Sequence, residues 1–236
     1  MSSPAPTLPS TLLDSFLTLS TPLRIRWYMC IIVSLSSLNY PEVIPQVYKH
    51  FDSTLLSQLD EKERFSAAQQ VREGLIKSTG IVGAARTGNA MRTLSECMPD
   101  EFREQESPRS KESDEVARKR GRQFWLNVYA RNPLFDPVKT ERASPDYAFI
   151  VRDLLYARVF SYDGVLDPLT SGFAMVAGLY GIDTRNQLRN HMIGMLYNGA
   201  TREDLQELQR LCLAVAEALG VKSRFGPVEI PSIQEK

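Results

Sequence analysis

Apolar residues recur along the chain every three or four positions, which is the period of an amphipathic helix. The spacing is clear near the start of the chain, at 12–17, and near its end, at 205–219. No segment shows the sustained alternation of apolar and polar residues, joined by hairpin turns, that is typical of strands. The pattern therefore predicts an all-α fold.

Capping signals divide this pattern into separate helices. Asp60 begins a capping-box pair in which two side chains satisfy each other's backbone N–H groups. A Ser-Pro pair at 144–145 and an Asp-Pro pair at 167–168 each place a capping side chain before a proline suited to the first helical position. Gly80 and Gly83 indicate a break between helices or a very close helix–helix approach.

A strongly polar segment, "DEFREQESPRSKESD" at 100–114, separates two helical halves. Its charges and central proline are typical of a solvated connection. A Ser/Pro-rich stretch at the start has too few apolar residues to form a core. The predicted organisation is a mobile lead at 1–22, an N-terminal helical half at 23–99, a linker at 100–114, a C-terminal half at 115–222 and a tail at 223–236.

Charge and hydropathy indicate no polyanionic or membrane partner. Lys plus Arg and Asp plus Glu are both 28, so the chain has no net charge to attract nucleic acid. The most apolar run, "WYMCIIVSLSSL" at 27–38, is shorter than the roughly 18 to 20 residues that cross a bilayer. We expect a buried core helix there, no membrane span and no nucleic-acid partner.

The three cysteines, Cys30, Cys97 and Cys212, form neither a CxxC pair nor a metal-ligand cluster. This predicts free thiols in a reducing, intracellular compartment. The cytoplasm is the favoured location and an organelle is the alternative. The C-terminal tripeptide QEK does not match the SKL-type peroxisomal signal.

Motifs of several common enzyme classes do not occur. The glycines of "GIVGAARTG" at 80–88 follow no predicted strand and lack the Gly-Lys-Ser/Thr ending of a phosphate-binding loop, so close packing explains them better. HExxH, Cys/His zinc patterns and GxSxG are also missing from the sequence. We therefore expect no cofactor and no metal.

One tract carries a family resemblance. Residues 169–208, with the pattern LxxHxxxxLxNGAT around His191, resemble the carboxymuconolactone decarboxylase and AhpD-like family. Residues 143–167 resemble the segment that leads into this motif in the decarboxylase branch. Residues 71–94 resemble the family's other helix pair, as found in fungal two-part members. The resemblance covers roughly 60–221 and implies an AhpD-like helical fold with two related helix-pair segments.

The redox branch of that family has the pattern E-x11-C-x2-C-x3-H. When its histidine is aligned with His191, Gly172 stands at the Glu position, and Thr184 and Gln187 stand at the two Cys positions. Thr and Gln cannot perform thiol–disulfide exchange. The decarboxylase branch lacks the cysteines and keeps the histidine, so the resemblance favours that branch.

The resemblance implies a cofactor-free, decarboxylase-like enzyme that acts on a small carboxylated lactone or polyketide-like acid. His191 would donate or accept a proton. Glu73 is a second candidate, because it is the one carboxylate in an otherwise apolar tract. Arg189 or Arg86 would hold the substrate carboxylate.

The alternative is a non-catalytic helical oligomer that serves as a scaffold or binding protein, with His191 only packed. An enzyme requires His191 in a closed cavity beside a second polar group, whereas a scaffold tolerates a dry histidine satisfied by backbone.

Small residues in the first helix pair also bear on assembly. Gly83, Ala84, Gly88 and Ala90 offer a surface for close helix approach. Members of the family form homo-oligomers around such helices, commonly trimers or multiples of them. The resemblance therefore implies a homo-oligomer.

Overall fold

A computed structural model describes residues 5–133, 135–224 and 226–233. These ranges are mainly helical and contain no strand, which confirms the predicted all-α fold. The α-helices are α1 (Ser10–Asp14), α2 (Thr21–Leu38), α3 (Ile44–Thr54), α4 (Glu61–Val82), α5 (Ala84–Cys97), α6 (Pro108–Lys111), α7 (Asp114–Tyr129), α8 (Pro137–Ala143), α9 (Pro145–Phe149), α10 (Pro168–Gly181), α11 (Arg185–Tyr197) and α12 (Arg202–Ala218). Three 3₁₀ helices span Pro41–Val43, Leu56–Gln58 and Asp100–Phe102, and a π-helix spans Ile150–Phe160.

Several helices begin where the sequence predicts. Asp60 caps α4, its carboxylate accepting from the Glu63 N–H at 2.8 Å, and the Glu63 side chain completes the capping box. Asp167 caps α10 by accepting from the Thr170 N–H at 2.9 Å. Gly83, with φ of 94°, separates α4 from α5, as its predicted role as a helix break requires.

The apolar run at 27–38 forms the C-terminal two thirds of α2 at the centre of the molecule. This helix packs against α4, α10 and α12, so apolar side chains are needed on all of its sides. Tyr28 and Ile31 are completely buried. Within the described part of the chain, no helix has the combination of length and apolar character required to cross a membrane.

One main core joins both predicted halves. It contains Val71 and Leu75 of α4 together with Phe173 of α10 and Leu208 of α12. Side chains at 8–16 also belong to it, so this part of the predicted mobile lead is packed rather than free. The segment at 100–114 contains the 3₁₀ helix with the buried Phe102 and the short α6, and therefore also contacts the body of the protein.

A smaller apolar cluster lies where α7 crosses the π-helix. It includes Phe124, Tyr129, Tyr156 and Phe160. The crossing is very close, because a Cβ atom at Gly121 would lie only 2.5 Å from the Ala157 Cα. This cluster forms one wall of the cavity described next.

Candidate functional site

A cavity of about 360 Å³ lies between α7, the π-helix, the α8–α9 segment and the start of α11. Its lining is mainly aromatic and aliphatic and includes Ile81, Trp125, Phe135, Leu155 and Leu179. A volume of this size is at the lower end of the range for small-molecule sites, which are typically apolar with a few placed polar groups.

Three polar side chains from three separate elements meet in this apolar wall. The Tyr156 hydroxyl of the π-helix donates to the Tyr129 hydroxyl oxygen of α7 at 3.2 Å. The Tyr129 hydroxyl lies 3.2 Å from Nε2 of His191 on α11, and 3.5 Å from Oε1 of Gln187. His191, Tyr129 and Tyr156 are 7%, 7% and 2% exposed, so this hydrogen-bonded chain is shielded from water.

Burial sets the charge of each member of the chain. It lowers the pKa of His191 to about 4, because the imidazolium form loses its hydration. It raises the pKa of Tyr129 to about 12 and raises that of Tyr156 well above the ordinary value. All three side chains are therefore uncharged near neutral pH. Nε2 of the neutral imidazole can then accept the Tyr129 hydroxyl proton.

The π-helix gives the site its Tyr156. Such helices, with hydrogen bonds between residues five apart, are rare and recur at functional sites. The bond from the Ser161 N–H to the Tyr156 carbonyl has this spacing. The end of the π-helix is held from α4, where the buried Lys77 ammonium donates to the Phe160 carbonyl at 2.9 Å and to the Tyr162 carbonyl.

Two further features complete the cavity. The Thr184 hydroxyl oxygen, directly before α11, is buried and has no hydrogen-bond partner among the described residues. The charged side chains in the lining are Glu141 and Arg152, which pair at 3.4 Å. These two side chains are 55% and 39% exposed, so they mark the solvent side of the cavity.

Three of the positions aligned with the redox-branch pattern lie together here. Thr184, Gln187 and His191 line the same cavity. Gly172 lies beside His191 in a separate space of about 20 Å³ that Met195 also lines. A Cβ atom at Gly172 would lie 2.9 Å from the Met195 Cγ. Met195 therefore occupies the space into which a longer side chain at 172 would extend.

The structure does not bring the other predicted site residues to this cavity. Glu73 is buried on α4, where its carboxylate pairs with Lys77 at 3.5 Å and with Arg109. Arg86 donates to the Ser37 carbonyl at 2.6 Å. Arg189 is an exposed residue of α11. None of these three lines the cavity.

Lys77 belongs to the buried Glu73 pair rather than to the cavity. Desolvation lowers its pKa to about 8, and the neighbouring carboxylate opposes this effect. Arg109 extends the pair by donating to the Arg158 carbonyl at 3.2 Å. This network ties α4 and α6 to the π-helix, so its role is to hold one wall of the cavity.

Sequence reasoning missed Tyr129, Tyr156 and the role of Thr184. Tyr129 falls in an apolar stripe at 124–129 that indicates only a buried helix face. Tyr156 lies in a tract whose family resemblance carries no assigned role for it. The pairing of these hydroxyls depends on the crossing of α7 over the π-helix, which the sequence does not reveal. The one sequence feature that points to a polar site here is a tyrosine within an apolar stripe.

No family model and no solved structure matches the chain. Two curated proteins are similar over nearly the full length. Peroxisomal protein 2 of Schizosaccharomyces pombe is 28% identical over 220 residues, which cover 93% of this chain and 98% of the relative. Peroxisomal protein 2 of Saccharomyces cerevisiae is 21% identical over 261 residues, covering 86% of this chain and 92% of the relative. Both names state a location and neither states an activity.

Proposed function

We propose that this chain is a cofactor-free enzyme that moves a proton at a carbon next to the carbonyl of a small cyclic compound, as the carboxymuconolactone decarboxylase resemblance implies. The observation that carries the proposal is the buried Tyr156–Tyr129–His191 chain in the wall of an apolar cavity. A histidine in a cavity wall beside a second polar group supports the enzyme, although the cavity has a solvent side and is not closed.

The neutral His191 suits the role of proton acceptor. When a C–H bond next to a carbonyl breaks, the Tyr129 hydroxyl turns its proton to Oε1 of Gln187, which frees the Nε2 lone pair. The substrate proton passes to Nε2 and the electron pair moves to the carbonyl oxygen. The unpartnered Thr184 hydroxyl is an uncharged donor that can stabilise this developing oxyanion, and Tyr156 can do the same by turning its proton from Tyr129 to the substrate. The negative charge in turn raises the proton affinity of His191, since an opposite charge favours imidazolium. The proton then returns to the same carbon or to a conjugated one.

Decarboxylation uses the same site with a different leaving group. The carbon–carbon bond to the carboxylate breaks, CO₂ leaves, and the electron pair remains as an enolate. The negative charge of the enolate raises the proton affinity of His191, so Nε2 takes up a proton from solvent and passes it to carbon. A carboxylated lactone, the substrate class that the resemblance implies, has both the carboxylate and the carbonyl that this step requires.

This proposal is tested with a panel of carboxylated lactones and β-keto acids, followed by NMR and CO₂ release. His191→Gln is expected to lower turnover by about 10²- to 10⁴-fold, the usual contribution of a general acid or base. His50→Gln is the matched control, because His50 bonds Tyr28 and Asp14 outside the cavity. Equal turnover by a folded His191→Gln protein and the wild type would contradict the proposal.

A non-catalytic binding protein is the second candidate function. Two observations favour it: the mainly apolar lining, and the burial that lowers the pKa of His191 to about 4 and so makes it a weak base. Ligand binding without turnover of any compound in the panel would support this candidate over the enzyme.

We also propose that the chain forms a homo-oligomer. Gly83 and Ala84 are exposed at the junction of α4 and α5, whereas Ala90 is used inside the chain's own core. Exposed apolar side chains at 147–154 leave a second surface open to contact. Light scattering should give a multiple of 26.6 kDa, and a constant monomer mass over a wide concentration range would refute this proposal.

The names of the two relatives favour an organelle over the cytoplasm, and we propose a peroxisomal location. Fluorescent fusions at either end of the full chain should coincide with a peroxisomal marker. Diffuse fluorescence from both fusions would contradict this location.

A further inference from the structure

The cavity separates its charged groups from its uncharged polar groups. Glu141 and Arg152 lie on the solvent side and pair with each other. The buried end has only uncharged oxygen and nitrogen groups: the hydroxyls of Tyr129, Tyr156 and Thr184, and the imidazole of His191. No arginine or lysine side chain reaches this end in the described structure.

This separation limits which part of a ligand can be buried. An ionised carboxylate at the inner end would lose its hydration and find no cation, which is strongly unfavourable. An uncharged oxygen group would instead gain hydrogen bonds. The unpartnered Thr184 hydroxyl can donate to such a group, and the Tyr156 oxygen, which already donates to Tyr129, can accept from an enol or hydroxyl O–H.

Resting on the proposed function, we propose that the cavity binds a small ring compound with an uncharged carbonyl, enol or hydroxyl group directed inward. A carbonyl accepts from Thr184, and an enol or hydroxyl in addition donates to Tyr156. A carboxylate on the same molecule lies at the mouth beside Arg152. The inner group is thus the one next to the proton-transfer chain, and the carboxylate lies at the mouth without contacting that chain.

The apolar lining fits the ring portion of such a ligand. Trp125 and Phe135 lie with their ring centroids 5.4 Å apart, and Phe135 stacks on Tyr129 at 4.1 Å. These planar surfaces favour a flat ring over a flexible chain. Indane compounds are suitable probes, because one bicyclic ring is available with different oxygen groups.

The test is calorimetric titration of the full-length protein at pH 7.5 with 1-indanone, 1-indanol and indane-1-carboxylate. In Arg152→Met, which lacks the cation at the mouth, the ketone and the alcohol are expected to bind about three- to tenfold more tightly than the carboxylate, because only they place an oxygen group on the inner hydroxyls. Equal or tighter binding of the carboxylate overturns the proposal. So does the absence of binding by all three compounds at millimolar concentration.

Two variants locate the groups. Tyr156→Phe should weaken 1-indanol binding by about three- to tenfold, the usual effect of one hydrogen bond, while the control Tyr197→Phe, at the end of α11 outside the cavity lining, leaves it unchanged. Thr184→Val provides the same test if Tyr156→Phe does not fold. Arg152→Met should weaken the binding of 3-oxo-indane-1-carboxylate and leave the binding of 1-indanone unchanged. Equal effects on the binding of both compounds would refute the assigned orientation.

The outcomes separate this inference from the proposed function. The expected selectivity without turnover upholds the ligand class and refutes the enzyme. Turnover of compounds that bind with the carboxylate inward upholds the enzyme and refutes the ligand class.

Discussion

The protonation state of His191 should make the protein sensitive to acid in a way that one substitution removes. In the folded protein the pKa of His191 is about 4, and in an unfolded chain it is near its ordinary value of 6.5. Between these values the unfolded state binds a proton that the folded state does not. The contribution of the neutral His191 to the free energy of unfolding is therefore fully present above pH 6.5 and is lost as the pH falls toward 4.

The size of this effect follows from the two pKa values. At pH 5 nearly all unfolded molecules have bound the proton and few folded molecules have, which corresponds to a loss of about 2 kcal/mol. At pH 7.5 the contribution is close to zero. Because His191 is 7% exposed, little solvent screening reduces this value.

Urea denaturation of wild type and His191→Gln at pH 7.5 and pH 5 measures this difference. Wild type should lose about 2 kcal/mol more stability than His191→Gln on acidification, since effects of the shared carboxylates cancel in the comparison. The control His50→Gln keeps His191 and should therefore lose as much stability on acidification as wild type. Equal losses for wild type and His191→Gln would show that His191 is hydrated or charged in the folded state, and the site as described would be wrong.

Four further predictions concern packing, the buried ion pair and the thiols. Gly121→Ala should destabilise the protein by about 1 to 3 kcal/mol in urea denaturation, because the new Cβ meets the Ala157 backbone. The control Gly88→Ala should be neutral or slightly stabilising. Equal effects of the two substitutions would contradict the close crossing of α7 and the π-helix. Lys77→Met should lower the free energy of unfolding by about 3 to 5 kcal/mol, because the buried Glu73 carboxylate loses one of its cations. Lys111→Met breaks an exposed pair and should cost less than about 1 kcal/mol. No change in stability on Lys77→Met would show that the network does not hold the π-helix. Of the three thiols, only Cys97 should react with a thiol reagent in the native protein. Cys30 and Cys212 are buried, and burial raises the pKa of both thiols. All three thiols should react in urea. Triple Cys→Ser substitution should leave turnover within a few-fold of wild type, and loss of activity in a folded triple variant would reveal a missed thiol mechanism.

The helix starts could be predicted from sequence because their causes are local. Asp60 and Asp167 each accept a hydrogen bond from the backbone N–H group three residues further along the chain. The apolar spacing of α12 directly reflects which face is buried. Such signals need no knowledge of the rest of the fold.

The candidate site could be predicted only in part. His191 was identified by a family pattern, and its neighbours Thr184 and Gln187 came with it. The partner hydroxyls were not identifiable, because Tyr156 is placed by a π-helix that Lys77 and the close approach at Gly121 hold from distant parts of the chain. Glu73 stands out in the sequence as a carboxylate in an apolar tract, and the structure shows that Lys77 and Arg109 account for its burial.

Proton transfer inside the cavity is measured most directly by deuterium incorporation into 1-indanone in D₂O at neutral pH, followed by NMR at the carbon next to the carbonyl. Wild type should accelerate this exchange above the buffer rate. His191→Gln should remove about 10²- to 10⁴-fold of the acceleration, and His50→Gln should remove none. Exchange at the buffer rate with wild type, or acceleration that persists in folded His191→Gln, would contradict a proton-transfer role for this site.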